Sequence, residues 1–332
     1  MPLQRLVLGL SLILSASVAV VLTDRSGSRD GLPTISVVTY SRTQVFEDAY
    51  AGFVDEMKAL GHEDGRSMRL VLRDAQMDIG TLNTIVATIA EERPDVVVPF
   101  TTMALQATIR RIDDRPVVFT LIASAKAAGA GESSTDHLAN VTGNQVECDW
   151  DGMLRLMRAT MPGVRKVGTL FAPGEANSVY FRDRWNTRLR QEGIELVSAP
   201  ADRPTEIPEA ADALVAQGVQ AIVQIPDVSS SSGFASIVRS ADRANLPVFG
   251  FSSANVRDGA TAVMARDFRQ TGVEGARLVD RVLKGEDPAK IPFTDTTKTV
   301  TVLNPDRLKR FGFVLPPAIL QGATESREVR RP

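Results

Sequence analysis

Hydrophobic positions along the chain alternate regularly between two periods. Residues 34–40 (TISVVTY) form a short β-rich run, and Val45, Phe46, Ala49, Phe53, Met57 and Leu60 follow at helical spacing until Gly61. The rhythm then repeats. A strand with alternation is expected at 68–73, and a helix at 79–92 with Ile85, Val86 and Ile89 facing inward. A buried strand follows at 96–100, a short helix at 104–110 and a strand at 117–120. Strands alternating with helices predict βαβ units and a parallel sheet.

After Asn140-Val-Thr-Gly143 the same rhythm restarts. Helices are expected at 150–161, 177–191, 206–217 and 234–244, and strands at 166–171, 195–198, 221–225 and 248–250. The chain therefore reads as two similar α/β halves, each a Rossmann-like lobe with a parallel sheet. The end of the chain departs from the rhythm. A strand is expected at 260–265. Asp267 then caps a helix running to Lys284 with Phe268, Leu278, Val279, Val282 and Leu283 on its apolar face. A β-rich stretch follows at 298–303, Pro305 opens a short helix, and the charged residues 324–332 read as a frayed tail.

Composition narrows the function. With 332 residues, 43% hydrophobic and 23% charged, the chain has the mix of a soluble globular protein of one or two domains. A net charge of −2 offers no basic field for a nucleic acid backbone. One cysteine, Cys148, excludes an internal disulfide, and two histidines far apart in sequence, His62 and His137, argue against a zinc site. At the start, Arg5 precedes an apolar run over residues 6–22 and a Ser/Gly-rich spacer. Residues 1–30 thus read as an export leader, either cleaved near Ser17-Val18-Ala19 or retained as a membrane anchor over 6–22. The anchor is favoured because no Ala-x-Ala ends the run. Both readings put the rest of the chain in the periplasm or another extracytoplasmic space.

In open parallel sheets, ligands bind beyond the carboxyl ends of the strands. That rule selects the loops at 40–43, 101–103, 122–125, 172–178, 226–232 and 252–255, all rich in hydroxyls and amides. Any one of them is explained by helix capping alone. Six facing one another point to a polar small-molecule cleft between two lobes. Tyr40, Phe100, Phe171, Tyr180 and Phe251 sit at the same strand ends as candidate apolar walls. No G-x-S-x-G, H-E-x-x-H or G-x-x-x-x-G-K-[ST] motif is present, so neither catalysis nor a cofactor is expected. Cys148 reads as a buried small residue, and His62 and His137 as solvated loop residues.

Asn140-Val-Thr-Gly143, Pro173-Gly-Glu-Ala-Asn-Ser178, Arg257-Asp-Gly-Ala260, Asp267-Phe-Arg-Gln270 and Gly285-Glu-Asp-Pro-Ala289 occur in that order. Together they resemble the ABC-transporter substrate-binding family related to the tryptophan/tyrosine-binding proteins. The resemblance spans about residues 33–320. It implies the type I periplasmic-binding-protein fold, with three crossovers and a hinged interlobe cleft that closes on ligand. One lobe is expected over 33–143 with 253–291 and the other over 144–252 with 292–323, crossing near Gly143, Ser252 and Ile291. The matching loops imply Thr101, Thr102, Ala123, Ser124, Asn177, Ser178 and Asp227 as ligand-binding residues, and the strand-end loops add Tyr40, Ser41 and Ser252 as candidates.

Relatives commonly carry acidic residues where this chain has Ile122-Ala-Ser-Ala125 and Ser252-Ser-Ala-Asn255. That leaves Asp227, helped by Glu175, to meet a ligand ammonium. Arg42 would favour an anion if it points inward. The expectation is a monomeric binding component of an ABC importer that takes a small polar ligand, an aromatic amino acid or a related compound among the candidates, and engages an ABC permease. The alternative is a tethered sensor domain that reports ligand to a membrane receptor.

Overall fold

Two sheets divide the chain in a computed structural model that describes residues 31–325. The first joins β1 (Thr34–Thr39), β2 (Arg69–Asp74), β3 (Val96–Phe100), β4 (Val117–Ile122), β5 (Val141–Gln145) and the two-residue β11 (Thr294–Asp295). Its spatial order is β11-β5-β4-β3-β1-β2, all parallel. The second joins β6 (Lys166–Phe171), β7 (Glu195–Pro200), β8 (Ala221–Gln224), β9 (Val248–Gly250), β10 (Ala262–Arg266), β12 (Thr299–Leu303) and β13 (Ala323–Glu325). Its order is β13-β12-β10-β9-β8-β6-β7, and only the β10–β12 pairing is antiparallel. Helices cover both faces of each sheet, so central strands such as β3 are buried throughout and read as unbroken apolar runs. Each lobe carries two apolar cores, one per sheet face.

Both sheets share one topology. In the first, β1 lies between β2 and β3; in the second, β6 lies between β7 and β8. Strand order reverses at β1/β3 and at β6/β8. The loops that leave the carboxyl ends of these strands splay apart there and open a crevice. The residues that follow β1, β3, β6 and β8 are thereby selected as ligand positions by connectivity alone.

The chain crosses between sheets later than the sequence suggested. β5 continues past Gly143 to Gln145, so the first crossover is 146–149. β10 pairs with β9 through Ala262↔Phe249, which puts it in the second lobe. The second crossover is therefore at Arg266 and Asp267, not near Ser252. β11 pairs with β5 through Thr294↔Asn144, so the third crossover is 296–298 rather than near Ile291. The physical reason is that short strands extend by ladder hydrogen bonds to a neighbour that is remote in sequence. The tail also holds on longer than expected: Thr301 pairs with Ala323, which orders the chain to Glu325. The leader 1–30 and residues 326–332 lie outside the described residues. Among the described residues no helix is long and apolar enough to cross a membrane.

α1 (Gln44–Ala59) and the late helix α10 (Phe268–Leu283) pack as a pair on the first sheet. Glycines permit the close approach: a Cβ on Gly272 would lie 1.7 Å from the Ala49 carbonyl oxygen, and one on Gly52 would lie 2.1 Å from that of Arg269. The Thr271 carbonyl accepts from Thr120 Oγ1 (3.2 Å) and Asn144 Nδ2 (3.1 Å), tying α10 to β4 and β5. Replacement of Gly272 by valine has no room between these backbones. It is expected to cost about 1–3 kcal/mol or more of first-lobe stability, read as a lower urea midpoint, while Gly163→Ala, at an exposed turn with open space and no left-handed backbone, stays much closer to the parent protein.

Candidate functional site

A cavity of about 730 Å³, counting the space open at its mouth, lies between the sheets where both topologies reverse. From the first lobe it is lined by Tyr40 after β1, by Thr101, Thr102 and Met103 after β3, and by Leu121 and Ala123 around the end of β4. From the second it is lined by Glu175 and Asn177 after β6, by Pro226, Asp227 and Val228 after β8, and by Phe251 after β9. Val146, Cys148 and Arg266 come from the crossovers, and Phe268 opens α10 directly after the second.

The first-lobe wall is held in an unusual backbone state. Thr101 has φ of +82° and Leu121 has φ of +60°, both in the region that side chains ordinarily avoid. At Leu121 the β4–β5 register shifts between Phe119 and Ile122, and the irregularity turns Leu121 toward the cavity. Thr101 precedes α3 (Thr102–Ile109), and its buried hydroxyl has no hydrogen-bond partner. Thr101 thus combines backbone strain with an unmet hydroxyl at one cavity residue. Tyr40 is fixed by donating its hydroxyl to the Met77 carbonyl at 2.8 Å.

The opposite wall carries two buried carboxylates. Asp227 caps the short helix α8 (Val228–Ser232): its Oδ1 accepts from Ser230 N at 2.6 Å and its Oδ2 from Ser178 Oγ at 2.6 Å. Glu175 accepts from the amides of Val228 (3.1 Å) and Ser229 (3.3 Å) at the same helix start. Asn177, at the start of α6 (Ala176–Arg190), donates to Glu175 Oε2 at 3.4 Å and to the Pro226 carbonyl at 3.3 Å. Neither carboxylate forms an ion pair with any described residue. Burial, with the charge of Asp227 beside it, pushes Glu175 up to about 7, and burial raises Asp227 in the same direction.

The aromatic floor belongs to the second lobe. Phe251 meets Trp150 at 5.0 Å between ring centroids, and Trp150 in turn meets Phe181 at 5.6 Å and Trp185 at 5.7 Å. Phe251 and Phe181 line the cavity, and Trp150 and Trp185 pack behind them as an apolar base.

Of the residues singled out from sequence, Tyr40, Thr101, Thr102, Ala123, Asn177 and Asp227 are brought together on the cavity wall. Ser41, Ser124, Ser178 and Ser252 are not. Ser178 is fully buried beneath Asp227, and Ser124 caps the four-residue helix α4 (Ala125–Ala128) through Ala127 N at 3.2 Å. The Ser41 carbonyl accepts from Thr39 Oγ1, and the Ser252 carbonyl from Asn255 N. A serine at a strand end serves the backbone as readily as a ligand, and sequence alone does not separate the two.

Phe251 reaches the cavity, while Phe100 is packed against Phe46 and Phe53 in the first-lobe core. Arg42 is exposed and paired with Glu47 at 2.7 Å, away from the cavity. His62 is not a free turn residue, since its Nε2 lies 2.9 Å from Asp280 Oδ1. His137 stacks on Phe293 at 4.4 Å. Cys148 is buried, and burial drives its thiol well above the ordinary range, away from nucleophilic use. No group of residues suited to a metal is present among the described residues. Arg266 and Phe268 were missed, although Phe268 and its neighbours belong to the Asp267-Phe-Arg-Gln270 motif. Their place on the cavity follows from the crossover, which periodicity does not register.

An acid raised on folding holds its proton more tightly in the folded state. Between its ordinary value and about 7, the folded protein therefore carries more proton, and stability falls as pH rises through that window. Urea unfolding at pH 5 and pH 8 is expected to give a loss with rising pH that is about 1–3 kcal/mol smaller in Glu175→Gln than in the parent protein.

Comparison with known proteins agrees with this architecture. The family described as ABC transporter substrate binding protein matches residues 34–327. A relative named tyrosine-binding protein from Clostridioides difficile is 24% identical over 264 residues, covering 79% of this chain and 76% of the relative. Among solved structures, a conserved domain protein from Vibrio cholerae is 26% identical with a TM-score of 0.84, covering 90% of this chain and all of that one. A Streptococcus ABC domain in complex with L-Trp is 22% identical with a TM-score of 0.82, covering 88% and 99%. A ligand-free, open substrate binding protein with adhesive properties from Clostridium difficile is 21% identical with a TM-score of 0.70, covering 90% and 100%. With nearly its whole described length matched and both sheets in the shared topology, the chain belongs to the ABC transporter substrate-binding protein family and has the type I periplasmic-binding-protein fold.

Proposed function

We propose that this protein is the extracytoplasmic solute-binding component of an ABC importer. In this reading it holds an aromatic amino acid or a related compound in the cavity between its lobes. The observation that carries the reading is the cavity itself: loops from both reversal points meet there, with polar groups on two walls and an aromatic base between them. The unpaired carboxylates Glu175 and Asp227 suit a ligand ammonium, which would relieve the cost of holding two acids in one buried place. Thr102 opens α3 at the opposite wall, where first-turn amides suit a ligand carboxylate. The apolar base suits a ring. The names of the relatives, tyrosine-binding and L-Trp-bound, point the same way.

Lobe arrangement supports ligand capture by closure. α4 of the first lobe packs against α6 of the second across the mouth. Similarity is also greater to the L-Trp complex than to the open, ligand-free structure, although identity to the two is nearly equal. In this reading a monomer closes on ligand by rotation about its crossovers, and the closed form engages a permease in the cytoplasmic membrane. Tethering through residues 6–22, outside the described residues, would keep it beside that partner.

Thermal unfolding of residues 31–332 with L-tryptophan, L-tyrosine or L-phenylalanine tests this. A true ligand at about 100 times its dissociation constant should stabilise by about 2.7 kcal/mol. Thr102→Ala and Asp227→Asn should each weaken that ligand by about tenfold or more, with their unliganded unfolding still cooperative. Affinity unchanged in both variants would remove the cavity from consideration.

A further inference from the structure

The three crossovers are independent chain segments, yet one side chain holds them together. Arg266 sits on the second. Its Nε donates to the Glu147 carbonyl of the first at 2.7 Å. Its Nη1 donates to the Thr297 carbonyl of the third at 2.6 Å and to Thr299 Oγ1, where β12 begins, at 2.6 Å. A guanidinium has five N–H donors in a rigid fork, so these bonds use the Nε–H and both hydrogens of Nη1. The two on Nη2 have no acceptor among the described residues. Arg266 also lines the cavity, and it is the one basic side chain among its lining residues.

The second and third crossovers have other links, since Asp267 N donates to the Lys298 carbonyl at 2.9 Å and the Asp267 carboxylate pairs with Lys298 at 2.8 Å. The bond from Arg266 to the Glu147 carbonyl adds the first crossover to that group. Glu147 is anchored in turn, its Oε1 accepting from Trp150 Nε1 at 3.0 Å and from Arg184 Nε at 2.7 Å. Arg184 lies on α6, which opens at the cavity with Asn177. Hydrogen bonds from Arg266 and from Arg184 thus both end on Glu147, one on its carbonyl and one on its carboxylate, which links the crossovers to α6.

We propose that Arg266 couples cavity occupancy to the angle between the lobes. Three of its donors fix the relative positions of the crossovers, and Nη2 takes an anionic oxygen of the ligand, so that the ligand completes the clasp. Rotation between lobes is absorbed by a few crossover dihedrals, and a fork bonded across all three segments favours one setting of them. The ligand class is thereby narrowed to compounds with a carboxylate or similar anion beside an apolar body. Arg266 is a positioning residue as well as a ligand contact. The ligand half of the proposal rests on the cavity reading given above.

The test compares the parent protein with Arg266→Met and Arg266→Lys. Small-angle X-ray scattering without ligand reads the lobe angle, and titration with L-tyrosine, L-tryptophan and their carboxamides reads the anion contact. Both variants should show a larger radius of gyration than the parent, because a lysine ammonium cannot bridge two crossovers as a fork does. The parent should prefer each acid over its amide by about tenfold; Arg266→Lys should keep part of that preference and Arg266→Met should lose most of it, down to what the α3 amides supply. Scattering curves identical to the parent's overturn the clasp. An acid preference unchanged in Arg266→Met overturns the ligand contact. If the parent binds neither acids nor amides, the amino-acid reading fails and the ligand contact with it, while scattering still decides the clasp.

Discussion

Three passages of the chain between two sheets constrain everything else in this molecule. Each lobe is completed by a segment that leaves and returns: α10 comes back to the first sheet and β12 to the second. Neither lobe is therefore a contiguous stretch of sequence. The crossovers run side by side at the base of the cavity. Their backbone polar groups need partners, and the Arg266 side chain together with the bond from Asp267 N to the Lys298 carbonyl supplies several of them. The groups that satisfy the crossovers are thus also the groups that a lobe rotation must disturb.

The cavity shows how such a fold accepts polar cost at its working surface. Glu175 and Asp227 are both buried and both bonded to the start of one short helix. Amides and hydroxyls make that burial tolerable, but no cation among the described residues balances it. On the facing wall Thr101 adopts a strained backbone and leaves its hydroxyl unmet. A core chosen for stability alone would fill these places with apolar side chains. Holding them polar and strained is a stability cost, which the proposed ligand would offset.

Much of the fold was legible because period and burial coincide. The apolar run at β3 and the amphipathic stripe of α10 are local facts that any packing must respect. The candidate loops were legible because ligand sites in parallel sheets follow strand polarity. Within those loops the sequence did not discriminate. Thr102 and Asp227 face the cavity while Ser178 and Ser252 serve the backbone, and all four are small polar residues after a strand. Short elements such as α4, α8 and β11 escaped detection because a segment of two to five residues shows no period.

By itself the sequence determined the α/β class, the two lobes and the loops from which a site is built, because side-chain period and turn chemistry are encoded locally. Tertiary structure decided which strand joins which sheet, where the crossovers fall and which charges share one enclosure. β10 belongs to the second sheet because Ala262 meets Phe249, and Arg266 becomes a crossover residue as a consequence. Glu175 lies against Asp227 only because β6 and β8 are neighbours. Pairings of that kind join residues far apart in the chain, and their energies depend on distance and burial, which no single segment contains.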